Sequence, residues 1–153
     1  MKFYQIALAG LGFISSVNAA DITIFYSPTC PHCHHARDFI KNELVYEYND
    51  LKVTEINAAE MDFRQDFIDA LKKCEYTSGG VPVLVIGDKC FQGFGESVKQ
   101  PMRAAIEIDL SDAQKKSADA NRSELAANHD DFVAKHSDRQ NAITNKEATV
   151  KKK

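Results

Sequence analysis

Cys30 and Cys33 stand three positions apart, with Pro31 and His32 between them. A pair of thiols at that spacing can make and break a disulfide when one sulfur is held as the thiolate, the form that attacks. The flanking residues predict how that form is favoured. Asp21-Ile22-Thr23-Ile24-Phe25-Tyr26 reads as a short apolar strand, and Arg37 to Tyr46 carries helical spacing with Phe39, Ile40 and Leu44. The pair therefore falls where a strand becomes a helix, and the free N–H groups and dipole of a helix N-terminus stabilise a thiolate. Pro31 suits the first helical turn, where its missing N–H costs nothing. A partly positive imidazole at His32 further favours the thiolate. Cys30, Cys33 and His32 are the candidate catalytic residues.

The same stretch admits a second reading. Cys30, His32, Cys33, His34 and His35 form a Cys/His cluster, and soft thiolates with imidazoles suit zinc or copper(I). A metal-binding or metal-delivery protein is thus the rival. It is the weaker reading: a strand-to-helix Cys-Pro-x-Cys supplies two well-placed ligands, while the following histidines fan around the helix. No metal site is assigned.

The N-terminus predicts the compartment. Met1 to Ala20 has a short positive start at Lys2, an apolar stretch from Ile6 to Val17, and small residues at Val17-Asn18-Ala19. These are the features of a secretory signal peptide cleaved after Ala19 (residues 1–19). The mature chain is then expected in an oxidising compartment, periplasmic or secreted, where disulfides persist.

Composition divides the remainder near Asp109. Residues 21–108 hold all four Cys, six of nine Phe and four of five Tyr, with 9 Lys+Arg against 14 Asp+Glu, net −5. Residues 109–153 hold one aromatic, Phe132, and net +1. Neither part is basic enough for nucleic acid. One domain at 20–108 is expected, followed by a polar tail at 109–153, partly helical or disordered. Ser111-Asp112-Ala113-Gln114 reads as a capping box opening a helix at Asp112. Beyond it Leu125, Phe132, Val133 and Ile143 make no sustained stripe, so a solvated extension is expected.

Within the domain, Val53-Thr54-Glu55-Ile56-Asn57 reads as a second strand and Met61 to Cys74 as a helix. Val81 to Ile86 is a continuous apolar run, as a strand buried on both faces requires. Gly87-Asp88 turns into a returning strand, Lys89 to Gln92. A last helix runs from about Lys99 to Ile108 with Pro101 in its first turn. The order β-α-β-α-β-β-α implies an α/β fold, a sheet covered on both faces by helices.

This order, with Phe25-Tyr26-Ser27-Pro28-Thr29-Cys30-Pro31-His32-Cys33-His34, Ser78-Gly79-Gly80-Val81-Pro82-Val83 and Gln92-Gly93-Phe94-Gly95-Glu96, resembles glutaredoxins and other small thioredoxin-fold oxidoreductases over residues 21–108. The resemblance implies a thioredoxin-like, glutaredoxin-type domain with a four-stranded mixed sheet flanked by helices. It implies that Cys30 is the exposed nucleophile and Cys33 the protected resolving thiol of a redox-active disulfide. It implies a cis-proline loop at Val81-Pro82, whose backbone pairs with an extended substrate, and further substrate contacts at Gly93 and Glu96. No dissociable cofactor is implied. The partners implied are thiols or disulfides of exported proteins, a membrane or soluble redox partner, and glutathione as a further candidate. His32 is shared with the disulfide oxidases of the periplasm, whereas most glutaredoxins carry Tyr there. Ile24 is apolar as in glutaredoxins, where thioredoxins and the oxidases often place an acid, and no buried acid is evident near Cys33. Ser27 stands where glutaredoxins commonly have a basic residue, which argues against efficient glutathione use. Cys74 and Cys90 form an even pair in an exported chain. A structural disulfide and two separate thiols both remain open for them.

Overall fold

A computed structural model describes residues 18–146. Nearly all of the expected signal segment, 1–17, lies outside the described residues, as does 147–153. The centre is a five-stranded mixed sheet in the order β4-β3-β1-β2-β5. β1 (Ile22–Tyr26) runs parallel to β2 (Val53–Asn57) and antiparallel to β3 (Val83–Ile86), which turns through Gly87 into β4 (Lys89–Gln92). β5 (Ile143–Lys146) adds to β2 in parallel, from Val53 opposite Ile143 to Ile56 opposite Lys146.

Alternation along the strands divides the core into two layers, because successive side chains leave opposite faces of a sheet. Ile22, Ile24, Val53, Leu84 and Ile86 point to one face. There they meet Ala36 and Phe39 of α1 (Pro31–Phe39), Met102, Ala105 and Ile106 of α4 (Glu96–Ile106), and the C-terminal helices. Phe25, Ile56 and Val83 point to the other, against Phe63 and Ala70, where α3 (Arg64–Lys73) follows a short 3₁₀ turn. α1 does not stop at Phe39. A π-helical turn, Ile40–Leu44, carries it into a last α turn, α2 (Val45–Glu47).

Two element starts beside the cysteine pair differ from the sequence reading. β3 begins at Val83, two residues late, because Val81 and Pro82 form the approach to the strand. α4 begins at Glu96 rather than Lys99, so Pro101 sits inside the helix instead of its first turn. An ion pair between Glu96 and Lys99 (2.8 Å) spans that added turn, and the Pro101 ring is exposed.

The larger correction concerns residues 109–146, expected as a solvated extension. They fold onto the domain. The capping box closes as read: Ser111 Oγ accepts from Gln114 N–H (3.3 Å) and Gln114 Oε1 from Ser111 N–H (3.0 Å), opening α5 (Asp112–Ala127). Ala118 and Leu125 of α5 and Phe132 of α6 (His129–Lys135) are buried against the first core layer. Ala118 and Leu125, seven residues apart, share one face of α5, and Phe132 follows beyond the break in the helix at Asn128. Polar staples complete the docking. Arg139 donates to the carbonyls of Val45 (2.9 Å), Tyr48 (2.9 Å) and Leu51 (3.1 Å), satisfying groups that the end of α2 leaves free. Buried Glu47 accepts from Arg103 of α4 (2.8 and 2.5 Å) and Arg122 of α5 (3.0 Å). The sheet therefore has five strands where four were expected, the fifth supplied by the tail.

Candidate active site

Cys30 is the N-cap of α1. Its backbone is extended (φ −91°, ψ 114°), and its Sγ accepts the Cys33 N–H at 3.2 Å. A sulfur in that position takes up one of the helix's unpaired donors, and a thiolate accepts more strongly than a thiol. Pro31 occupies the first helical position. Cys30 and Cys33 are joined as a disulfide, with Cα atoms 5.2 Å apart. Their exposures differ sharply: Cys30 is half-buried at the surface, whereas Cys33 is 0 % exposed beneath it.

The other expected site residues converge on Cys30. The Val81–Pro82 peptide bond is cis, and Val81 O lies 3.6 Å from Cys30 Sγ. Pro82 is buried behind it, and its carbonyl accepts the Gly93 N–H at 2.8 Å. Gly93 holds φ +82°, a left-handed conformation that a side chain would strain. His32 is exposed and shares a groove of about 450 Å³ with Glu96, between α1 and the start of α4, floored by Phe39 and Phe94. These two rings pack at 5.7 Å.

His34 is turned away from the sulfurs: its Nε2 donates to Pro28 O (2.8 Å). Among the described residues no group of three or more His, Cys, Asp or Glu side chains is arranged to hold a metal ion.

Cys74 and Cys90 form the second disulfide, Cα atoms 5.7 Å apart. They do not join the site. Cys90 pairs with Val85, which lies opposite Thr23, so it sits three strand residues, about 10 Å, from the Tyr26 end of β1 where Cys30 follows.

A buried acid escaped the sequence reading. Glu55 is 4 % exposed on β2, in register with Ile24. Arg37 of α1 donates to it at 2.7 Å and lies 4.2 Å over the Tyr26 ring. That hydrogen bond raises the Arg37 pKa above its usual value, against the opposing effect of burial. The carboxylate is thus held by its own cation. The available signal was the inward place of Glu55 in the Val53–Asn57 alternation.

A redox pair at the N-terminus of a helix on a mixed sheet, with the Val81 carbonyl of a cis Val81–Pro82 bond facing the outer sulfur, defines a thioredoxin-fold domain. Comparison with known proteins finds similarity over the same region. The family model for glutaredoxin matches residues 22–91. The crystal structure of a glutaredoxin from Archaeoglobus fulgidus is similar at 27 % identity, covering 55 % of this chain and 86 % of that one, with a TM-score of 0.42. No curated protein matches the chain. The chain has a thioredoxin fold, and its similarity to glutaredoxins over residues 22–91 supports thiol–disulfide oxidoreductase chemistry in general.

Proposed function

We propose that this protein is an exported enzyme that exchanges disulfides with cysteines of other exported proteins through Cys30 and Cys33. The observation that carries the reading is the asymmetry of the pair: an accessible Cys30 at the helix N-terminus above a fully buried Cys33. In the reducing direction the Cys30 thiolate attacks a client disulfide, forming a mixed disulfide and expelling one client thiolate. The Cys33 thiolate then attacks Cys30 Sγ, expels the second client thiolate and closes the Cys30–Cys33 disulfide. The reverse sequence oxidises a client dithiol. Both directions balance two electrons and two protons between pair and client.

Cys30 is the nucleophile, Cys33 the resolving thiol, and His32 tunes the pair from the exposed face. Val81, Pro82, Gly93 and Glu96 shape the docking surface, the Val81 backbone serving as the edge to which an extended client adds. The N-terminal pattern of Met1 to Ala20 supports export, and a second disulfide away from the site fits an oxidising compartment. Glutathione is the less favoured partner, since Ser27 offers no cation for its carboxylate.

The test is a trapping experiment on mature protein. Cys30→Ser should abolish exchange, and Cys33→Ser should accumulate mixed disulfides with client proteins. Exchange that survives Cys30→Ser refutes the reading. The reduction potential of the pair, read in glutathione buffers, then assigns the direction: a high value marks a disulfide donor and a low value a reductase.

A further inference from the structure

The segment that presents Val81 is short of its own support. It leaves α3 at Cys74, and Glu75 reverses the chain at φ +57°. The Tyr76 N–H returns to Leu71 O (2.9 Å), and the chain then crosses Thr77-Ser78-Gly79-Gly80, all exposed, to reach Val81. Two adjacent glycines carry a large entropic cost of ordering. Over this stretch one side chain from the neighbouring strand supplies the grip. Gln92 Nε2 donates to Ser78 O (2.8 Å) and to Gly80 O (3.0 Å). A primary amide has two N–H donors, so a single nitrogen serves both carbonyls. The next residue acts on the far side: the Gly93 N–H donates to Pro82 O (2.8 Å). Gln92 and Gly93 thus hold the chain immediately before and after Val81, whose carbonyl faces Cys30 Sγ at 3.6 Å.

We propose that Gln92 is a positioning residue for client docking, its amide fixing the height of the Val81 backbone opposite Cys30. The inference rests on the reading of Val81 as the docking edge. Gln92 touches neither sulfur. It acts by holding the edge in the competent arrangement before a client arrives. If that arrangement is only partly populated, apparent affinity falls by the same fraction. Loss of the clamp should therefore raise KM for an extended peptide and spare the chemistry at sulfur.

The side-chain chemistry provides the test. Gln92→Glu keeps the shape but sets acceptors against two carbonyls, and Gln92→Lys keeps donors. Gln92 is exposed at the end of an edge strand, so both variants are expected to fold. The probes are a disulfide-linked cysteine peptide, which has a backbone to dock, and 2-hydroxyethyl disulfide, which has none. Gln92→Glu should raise KM for the peptide about tenfold, the weight of one to two neutral hydrogen bonds, with kcat, 2-hydroxyethyl disulfide exchange and the Cys30–Cys33 potential unchanged. Gln92→Lys should return KM toward the wild-type value. An unchanged peptide KM in Gln92→Glu overturns the proposal, as does an equal loss on both probes or a failure of Gln92→Lys to restore it. A wild-type protein inactive on both probes refutes the exchange reading itself, and the docking role with it.

Discussion

Phe132 gives the sharpest test of whether the C-terminal segment belongs to the folding unit. Its ring is 2 % exposed, edge-on to Tyr46 at 6.4 Å and tilted against His136 at 4.4 Å. Truncating a buried Phe to Ala costs about 3–5 kcal/mol, from lost transfer energy and the cavity left behind. A residue on a solvated extension would cost no more than about 0.5 kcal/mol. Since the whole domain holds about 5–15 kcal/mol, Phe132→Ala should remove about a fifth or more of it. The chain has no Trp, so urea unfolding is followed by far-ultraviolet circular dichroism. With a slope of about 1.5–2 kcal/mol/M, the midpoint should fall by about 2 M at unchanged slope. Exchange at Cys30 should be retained in low urea, because the Phe132 ring packs on Tyr46 and His136, beyond the C-terminal end of α1, and not on Cys30 or Cys33. A loss below about 1 kcal/mol would refute the packing argument. A separate early transition would show that the segment melts by itself.

Two further outcomes follow from the same geometry. Burial, and next the hydrogen bond to Glu107 (2.5 Å), push the Tyr48 pKa well above its usual value. A raised folded pKa means a contribution complete below the unfolded value of about 10 and lost as pH rises beyond it. Tyr48→Phe should cost about 1.5–3 kcal/mol at pH 7, and the gap to wild type should narrow above about pH 10 by up to ~1.4 kcal/mol per pH unit; a gap that stays constant to pH 11 contradicts this. Joint replacement Cys74→Ser and Cys90→Ser opens a loop of sequence separation 16. It should lower stability by about 3 kcal/mol, read by denaturant midpoint, with the Cys30–Cys33 potential unmoved; a shifted potential would place the second pair in the redox machinery.

The element order and the reactive junction were legible because their causes are local. Pro31 and the Cys30 cap select a helix start, the alternation of Ile22-Thr23-Ile24 selects a strand, and Ser111 with Gln114 selects the start of α5. Residues whose role depends on a partner far along the chain were not. Glu55 reads as a mid-strand acid until Arg37, 18 residues away, is brought over it. Gln92 reads as the end of a hairpin until Ser78 and Gly80 fold back beneath it.

A thiol pair at a helix N-terminus on an α/β domain could be read from the residues alone, since capping, proline geometry and hydrophobic period act within a few residues. The fifth strand and the docking of residues 109–146 depend on long-range contacts. Ile143-Thr144-Asn145-Lys146 carries a single apolar residue and no strand signal of its own. It becomes β5 because β2 offers an open row of backbone donors and acceptors, and because Arg139, bonded to Val45 O in the last helical turn, and Gln140, bonded to Lys41 O in the π turn, deliver the chain to that edge. Pairing of that kind is dictated by the edge that receives the segment, and no local property of the segment encodes it.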